Sequence, residues 1–155
     1  MIVQVDGAGE RLESVRQLFL EYARSLDFSL CFQEFDEELR ELPGMYAPPS
    51  GRLLLAVEDG EPTGCVGVHA LEPGVAEMKR LYVRPVRRAS GLGRVLAERA
   101  CEEARAIGYR KIRLDTIAQT MQAAIALYRD MGFREIPAYR KNPILSALYL
   151  EKHLW

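Results

Sequence analysis

Residues 77–93 run Glu-Met-Lys-Arg-Leu-Tyr-Val-Arg-Pro-Val-Arg-Arg-Ala-Ser-Gly-Leu-Gly, and the reading of this stretch decides the fold. Its first part completes a strand over Val75–Val83, opened by the Pro73-Gly74 turn and closed before Pro85. Beyond it, Leu92, Val95, Leu96, Ala100, Ala104 and Ile107 recur at helical steps until Gly108, which predicts an amphipathic helix with a glycine stop. Arg87–Arg94 therefore joins a strand to a helix start, where unpaired N–H groups and the positive end of the helix dipole attract an anion. Gly91 and Gly93 are expected to allow positive φ and close backbone approach. Arg87, Arg88 and Arg94 add donors suited to phosphate oxygens. The segment reads as a pyrophosphate cradle or as a glycine-containing turn with solvated arginines, and on its own it leaves both open. A Walker A loop would need Gly-Lys followed by Ser or Thr, and a dinucleotide fingerprint would need a small residue where Leu96 stands.

Outward from this stretch the pattern continues without repeats. Upstream, Ile2–Val5 reads as a strand and Glu10–Leu26 as a helix with apolar residues at three- and four-residue steps. Glu34–Leu42 reads as a shorter helix stopped by Pro43-Gly44, and Tyr46–Gly51 as a proline-stiffened loop. Arg52–Glu58 and Thr63–Leu71 read as strands joined by an Asp59-Gly60 hairpin, with Gly64 and Gly67 marking bends or close contacts. Downstream come a strand over Lys111–Asp115, a helix over Gln119–Met131, and strands over Phe133–Ile136 and Leu145–Lys152. This order predicts one α/β (α+β) domain spanning 1–155, a mixed sheet with helices on both faces. Strand alternation puts Glu77, Lys79, Leu81 and Val83 on one face and Met78, Arg80 and Tyr82 on the other.

Composition narrows the functional classes. With 155 residues, net charge −1 and interspersed acids and bases, the chain carries no nucleic-acid footprint. No apolar run is long enough to span a membrane, and the first residues lack the pattern of a secretory signal. Cys31, Cys65 and Cys101 are odd in number and lie outside metal-ligand spacing, so reduced thiols in a cytoplasmic protein are expected. His69 and His153 stand without convergent ligands, so no metal is expected.

Residues 77–93, with Arg88-x-x-Gly91-x-Gly93 after a strand, resemble the acyl-CoA-binding signature of the GNAT superfamily of N-acetyltransferases. The run Ala124-Ile-Ala-Leu-Tyr-Arg-Asp-Met-Gly-Phe133 is similar to that family's second motif, and the resemblance extends from about Leu53 to Leu150. It implies a mostly antiparallel sheet of about seven strands, with a V-shaped split between the fourth and fifth. It also implies acetyl-CoA as co-substrate, with Leu81, Tyr82 and Val83 along the pantetheine. Arg88, Ala89, Ser90, Gly91, Leu92, Gly93 and Arg94 would sit at the diphosphate, and Ala124 and Leu127 beside the cofactor. An N–H near Leu81 would polarise the thioester carbonyl. Tyr128 matches the family's general acid for the departing thiolate, or simply anchors its helix. Glu77 resembles the base that histone-acetylating members use through water, or is an acid paired with Lys79 or Arg80. Many relatives carry Asn where Met121 stands here, which removes one side-chain contact to the cofactor. Cys65 and Cys101 are expected only to pack, so direct transfer is preferred to an acyl-cysteine route.

The same resemblance implies that an amine acceptor enters opposite the cofactor. Phe28, Phe32, Phe35 and Tyr46 from the early helices and Pro137, Tyr139, Arg140, Asn142 and Pro143 from a late loop are the candidates. Arg140 or Arg52 would pair with a substrate carboxylate or stay a surface charge. The acidic run from Glu34 to Glu38 reads as a solvated face or as an attractor for a cationic amine. A small-molecule amine is the expected acceptor, a protein amine or a non-catalytic acyl-CoA-binding module the alternative. Homodimers are common in the family.

Overall fold

The computed structural model describes residues 1–26, 34–117, 122–140 and 147–155. Among them the chain forms β1 (Ile2–Gln4), α1 (Glu10–Ser25), α2 (Phe35–Glu41), β2 (Arg52–Glu58), β3 (Glu61–Glu72) and β4 (Val75–Val83). It continues through α3 (Leu92–Ile107), β5 (Lys111–Ile117), α4 (Gln122–Asp130), β6 (Arg134–Ile136) and β7 (Ala147–His153). β3 begins two residues before the expected Thr63, because Asp59 and Gly60 both take positive φ and close a tight hairpin at once.

The strands make one mixed sheet in the order β1-β2-β3-β4-β5-β7-β6. All neighbours are antiparallel except β4 and β5, which run parallel and pair only from Val75–Glu77 to Lys111–Arg113. After that, β4 stays with β3 and β5 stays with β7, so the sheet forks. The expected V-shaped split between the fourth and fifth strands is there, with β4 open from Met78 onward.

Apolar residues on the two sheet faces make two cores. Leu54, Val66, Val68, Ala76, Met78, Ile112 and Leu114 pack with Leu96, Ala97, Ala100 and Ala104 of α3 and Tyr128 of α4. Leu53, Leu55, Cys65 and Tyr82 pack with Val15, Leu18 and Phe19 of α1 and Phe35 of α2. Each large side chain so buried contributes about 1.5–3 kcal/mol. Gly67 is required by this second core: a Cβ there would lie 2.5 Å from the ring of the fully buried Tyr46. Among the described residues, no helix is long and apolar enough to cross a membrane.

The expected alternation along β4 does not hold through its length. Register with β3 shifts between Lys79 and Tyr82, and Arg80 adopts φ 61° in the left-handed region. One extra residue there makes a β-bulge, which reverses the phase of the strand beyond it. Leu81 and Val83 consequently share the α3 face with Met78, whereas Glu77, Arg80 and Tyr82 face α1 and α2.

Candidate active site

The turn after β4 has the open geometry that an anion needs. Ala89 (φ 63°) and Gly91 (φ 87°) take the left-handed conformations, and the first helical bond of α3 runs from the Val95 N–H to the Gly91 carbonyl. The N–H groups of Leu92, Gly93 and Arg94 thus precede the helical ladder, and no side chain caps the helix start. Gly93, expected to allow positive φ and close approach, lies inside the helix; a Cβ there would make an ordinary 3.8 Å contact with Val83. Ser90 Oγ donates to the Arg87 carbonyl and tightens the turn.

The arginines around this turn already have partners. Arg87 pairs with Glu58 at 3.0 Å, and Arg94 bridges Glu98 on α3 and Asp130 on α4. Arg88 is held by neutral groups, its Nε donating to the Val83 carbonyl at 3.1 Å and its guanidinium 5.8 Å from the Tyr82 ring centroid. Tyr82 itself turns toward α1, its hydroxyl 3.3 Å from Glu21.

On the open edge of β4 the backbone is directed into the fork. The Arg84 N–H donates to the Thr63 carbonyl on the β3 side. By the alternation of a strand, the N–H and C=O of Val83 and Leu81 then face the opposite side. α4 brings Ile125 and Tyr128 into the core, with Ala124 and Leu127 partly covered on the same helix. Tyr128 packs on Phe133 at 5.6 Å between centroids. Burial pushes its phenol well above the ordinary value.

Where the two strands part, a polar cluster gathers around Glu77. The side chain is fully buried. Its Oε1 accepts from His69 Nε2 at 2.8 Å and lies 4.0 Å from Lys79 Nζ. Its Oε2 accepts from the Tyr139 hydroxyl at 2.6 Å and from the Arg140 guanidinium at 2.6 Å. Burial opposes ionisation here, but the His69 hydrogen bond, the Lys79 charge and Arg140 outweigh it and hold the carboxyl well below the usual carboxylate range. Arg140 also reaches Asp115 of β5 at 3.3 Å. Among the described residues, no group of histidines, cysteines and acids has the makings of a metal site.

Comparison with known proteins gives this geometry a family. The model of the acetyltransferase (GNAT) family matches residues 12–133. The chain belongs to that family. It is 38% identical over 141 residues to an uncharacterized N-acetyltransferase of Schizosaccharomyces pombe, covering 90% of this chain and 86% of the relative. A GNAT acetyltransferase of Staphylococcus aureus Mu50 superposes with a TM-score of 0.80 at 19% identity over the whole of both chains. An aminoglycoside 6'-N-acetyltransferase complexed with coenzyme A superposes with a TM-score of 0.76 at 16% identity, covering 100% of this chain and 97% of that one. This GNAT protein is an acyltransferase.

The structure brings together much of what the two motifs marked. Leu81, Val83 and residues 88–94 line up along one arm of the fork and its outer end. Glu77 and Tyr139, expected in different roles, are in direct contact. Phe28, Phe32, Cys31, Asn142, Pro143 and Met121 lie outside the described residues. Phe35 and Tyr46 are core residues under α2. Arg52 pairs with Glu103 of α3 at 3.0 Å. Arg140 answers two carboxylates of the protein itself. His69, Lys79 and Asp115 were not singled out for the site. The Pro73-Gly74 turn alone would have set residue 69 opposite Met78; a register shift between Ala70 and Glu72 brings His69 opposite Glu77, and no local signal marks it.

Proposed function

We propose that this GNAT protein transfers the acetyl group of acetyl-CoA to the primary amine of a small molecule, an amino acid or small amine, by direct attack in a ternary complex. The observation that carries this reading is the fork: β4 leaves β5 after Glu77 and offers Leu81 and Val83 backbone groups beside the uncapped start of α3. An extended amide-bearing arm can add to such an edge as a further strand would, with its diphosphate on the α3 amides and Arg88. Gly91 has open space around its Cβ position, so the backbone is approachable there. The coenzyme A complex of the aminoglycoside 6'-N-acetyltransferase, which shares the fold, supports the same choice of donor.

Acetyl-CoA supplies an activated thioester, and the chain's residues act around it. The Leu81 N–H, directed into the fork, stabilises negative charge on the carbonyl oxygen as the amine nitrogen bonds to carbon. The attacking nitrogen sheds its extra proton to water, the carbon–sulfur bond breaks, and the departing thiolate takes up a proton. Tyr128 is the residue for that step: among the described residues its hydroxyl has no hydrogen-bond partner, and burial keeps it protonated. A raised phenol gives its proton uphill to a thiolate of pKa about 8.5, so Tyr128 contributes chiefly a hydrogen bond to the developing charge. The ammonium form of the acceptor loses its proton before attack.

A small acceptor is our reading in preference to a protein amine; on the acceptor side Tyr139 and Arg140 are held against Glu77 and Asp115. The test is thiol release from acetyl-CoA against free amino acids, polyamines, small aromatic amines and peptide N-termini. Turnover with a free amine and none with peptides is the expected result. Tight acetyl-CoA binding with no thiol release for any amine would overturn it.

A further inference from the structure

We propose that Glu77, Arg140 and Asp115 form a clasp across the vertex of the fork, in which Glu77 is a positioning residue and not the base that deprotonates the amine. Glu77 is the last residue of β4 that pairs with β5, and Asp115 lies two residues beyond its partner Arg113. Arg140, from the segment after β6, is 2.6 Å from Glu77 and 3.3 Å from Asp115, so one guanidinium joins both strands where they separate. The Tyr149 hydroxyl holds the Arg140 carbonyl at 3.0 Å, and Tyr139 sits edge-on against the Tyr149 ring, 5.1 Å between centroids. The clasp is thereby braced from β7.

A carboxylate offers about four lone-pair directions. At Glu77 three are filled, by His69 on one oxygen and by Tyr139 and Arg140 on the other, and the Lys79 charge stands 4.0 Å from the first oxygen. With the side chain fully buried and so engaged, the carboxylate is committed to the protein's own groups. A planar guanidinium can span two carboxylates, whereas an ammonium concentrates its charge at one point. What the clasp sets is the width of the fork in which donor and acceptor meet. A misplacement of about 1 Å in such geometry lowers turnover by up to about a hundredfold.

This inference rests on the acetyl-transfer reading for its kinetic consequence but is testable without an acceptor. With carboxyl-labelled glutamate, the Glu77 signal, assigned by its loss in Glu77→Gln, should stay ionised through the neutral range in NMR titrations. It should titrate at higher pH in Arg140→Met. A Glu77 signal that titrates near neutrality in the wild-type protein would overturn the clasp, as would one that Arg140→Met leaves in place. In assays with acetyl-CoA and an amine that turns over in the panel above, Arg140→Lys and Glu77→Gln should each lower kcat about ten- to a hundredfold. KM for acetyl-CoA should stay within about twofold, and the double variant should be no worse than the poorer single one. Full kcat in Arg140→Lys beside a loss in Glu77→Gln would overturn the proposal. If no amine turns over, the acetyl-transfer reading fails, and the titration alone decides the clasp.

Discussion

The guanidinium of Arg80 is gripped by the carboxylate of Glu38 through paired hydrogen bonds, Nε to Oε2 at 3.0 Å and Nη2 to Oε1 at 2.9 Å, with both side chains buried. Burial disfavours the Arg80 charge, but Glu38 more than compensates and holds the group firmly cationic. Arg80 also lies 5.1 Å from the Phe35 ring centroid, and Tyr46 donates to the same Glu38 at 2.9 Å. This is the residue whose φ of 61° makes the β4 bulge, a conformation that costs a non-glycine residue on the order of 1–3 kcal/mol. The ion pair is therefore what fastens α2 to the bulged stretch of β4. Replacing Glu38 with Ala takes the paired carboxylate away from a buried guanidinium, which destabilises by about 3–5 kcal/mol. Urea unfolding should register that loss, with Glu38→Gln intermediate. A loss under about 1 kcal/mol would mean that water reaches Arg80 and the pair does not hold the bulge.

The sequence carried the sheet, the α3 turn and the two motifs because each depends on local periodicity or on glycine and proline punctuation. The bulge was not legible. It sits where Arg80 pairs with Glu38 across 42 positions, and no local pattern reports a contact of that range. One unseen residue of slip was enough to put Glu77 on the other face from Leu81. Likewise Arg140 looked free for a substrate carboxylate only because its partners, Glu77 and Asp115, come from strands whose fork must first form. Of the two motif glycines, Gly91 takes the positive φ that both would allow, and Ala89, not singled out for it, takes the other.

Tyr128 gives a prediction that separates chemistry from packing. Its ring contributes to the core beside Phe133, and Phe would keep that contact while removing only the hydroxyl. Tyr128→Phe should lower kcat about tenfold, the loss of one hydrogen bond of about 1.4 kcal/mol to the developing charge. KM for acetyl-CoA and the unfolding midpoint should hardly move. An unchanged kcat would reduce Tyr128 to a helix anchor.

Gly91 gives the corresponding test at the diphosphate. It sits at φ 87°, a conformation nearly closed to β-branched residues, although space around its Cβ position is open. In Gly91→Val the backbone must move, and with it the Leu92, Gly93 and Arg94 amides. Calorimetry should find coenzyme A affinity lowered by about a hundredfold, the loss of roughly two charge-assisted hydrogen bonds at about 1.4 kcal/mol each. Gly93→Ala, adding a methyl at an ordinary 3.8 Å contact, should bind almost normally. Equal affinity in both variants and the wild type would remove the turn from the cofactor site.

Stability should fall away on both sides of neutrality, for opposite reasons. On the acid side, Glu21 is lowered by its hydrogen bond and charge contact with Arg84, and Glu77 is held below the carboxylate range despite its burial. A group depressed in the folded state stabilises fully above its unfolded pKa, about 4.3 for Glu, and loses that contribution as pH falls through the folded value. Unfolding free energy should therefore decline below about pH 5 and keep declining in stronger acid. On the alkaline side, burial pushes Tyr22 up to about 12 and Cys101 up to about 11. The unfolded chain releases those protons from about 8.5 for Cys and about 10 for Tyr. Because the folded values are raised, stability is present below the unfolded values and is lost as pH rises past them. Urea midpoints measured across pH should trace both declines. Glu21→Gln should start lower at neutral pH and lose less on acidification, since it has surrendered that proton linkage already. A midpoint that rose as carboxylates were protonated would contradict the ion pairs assigned to Glu21 and Glu77.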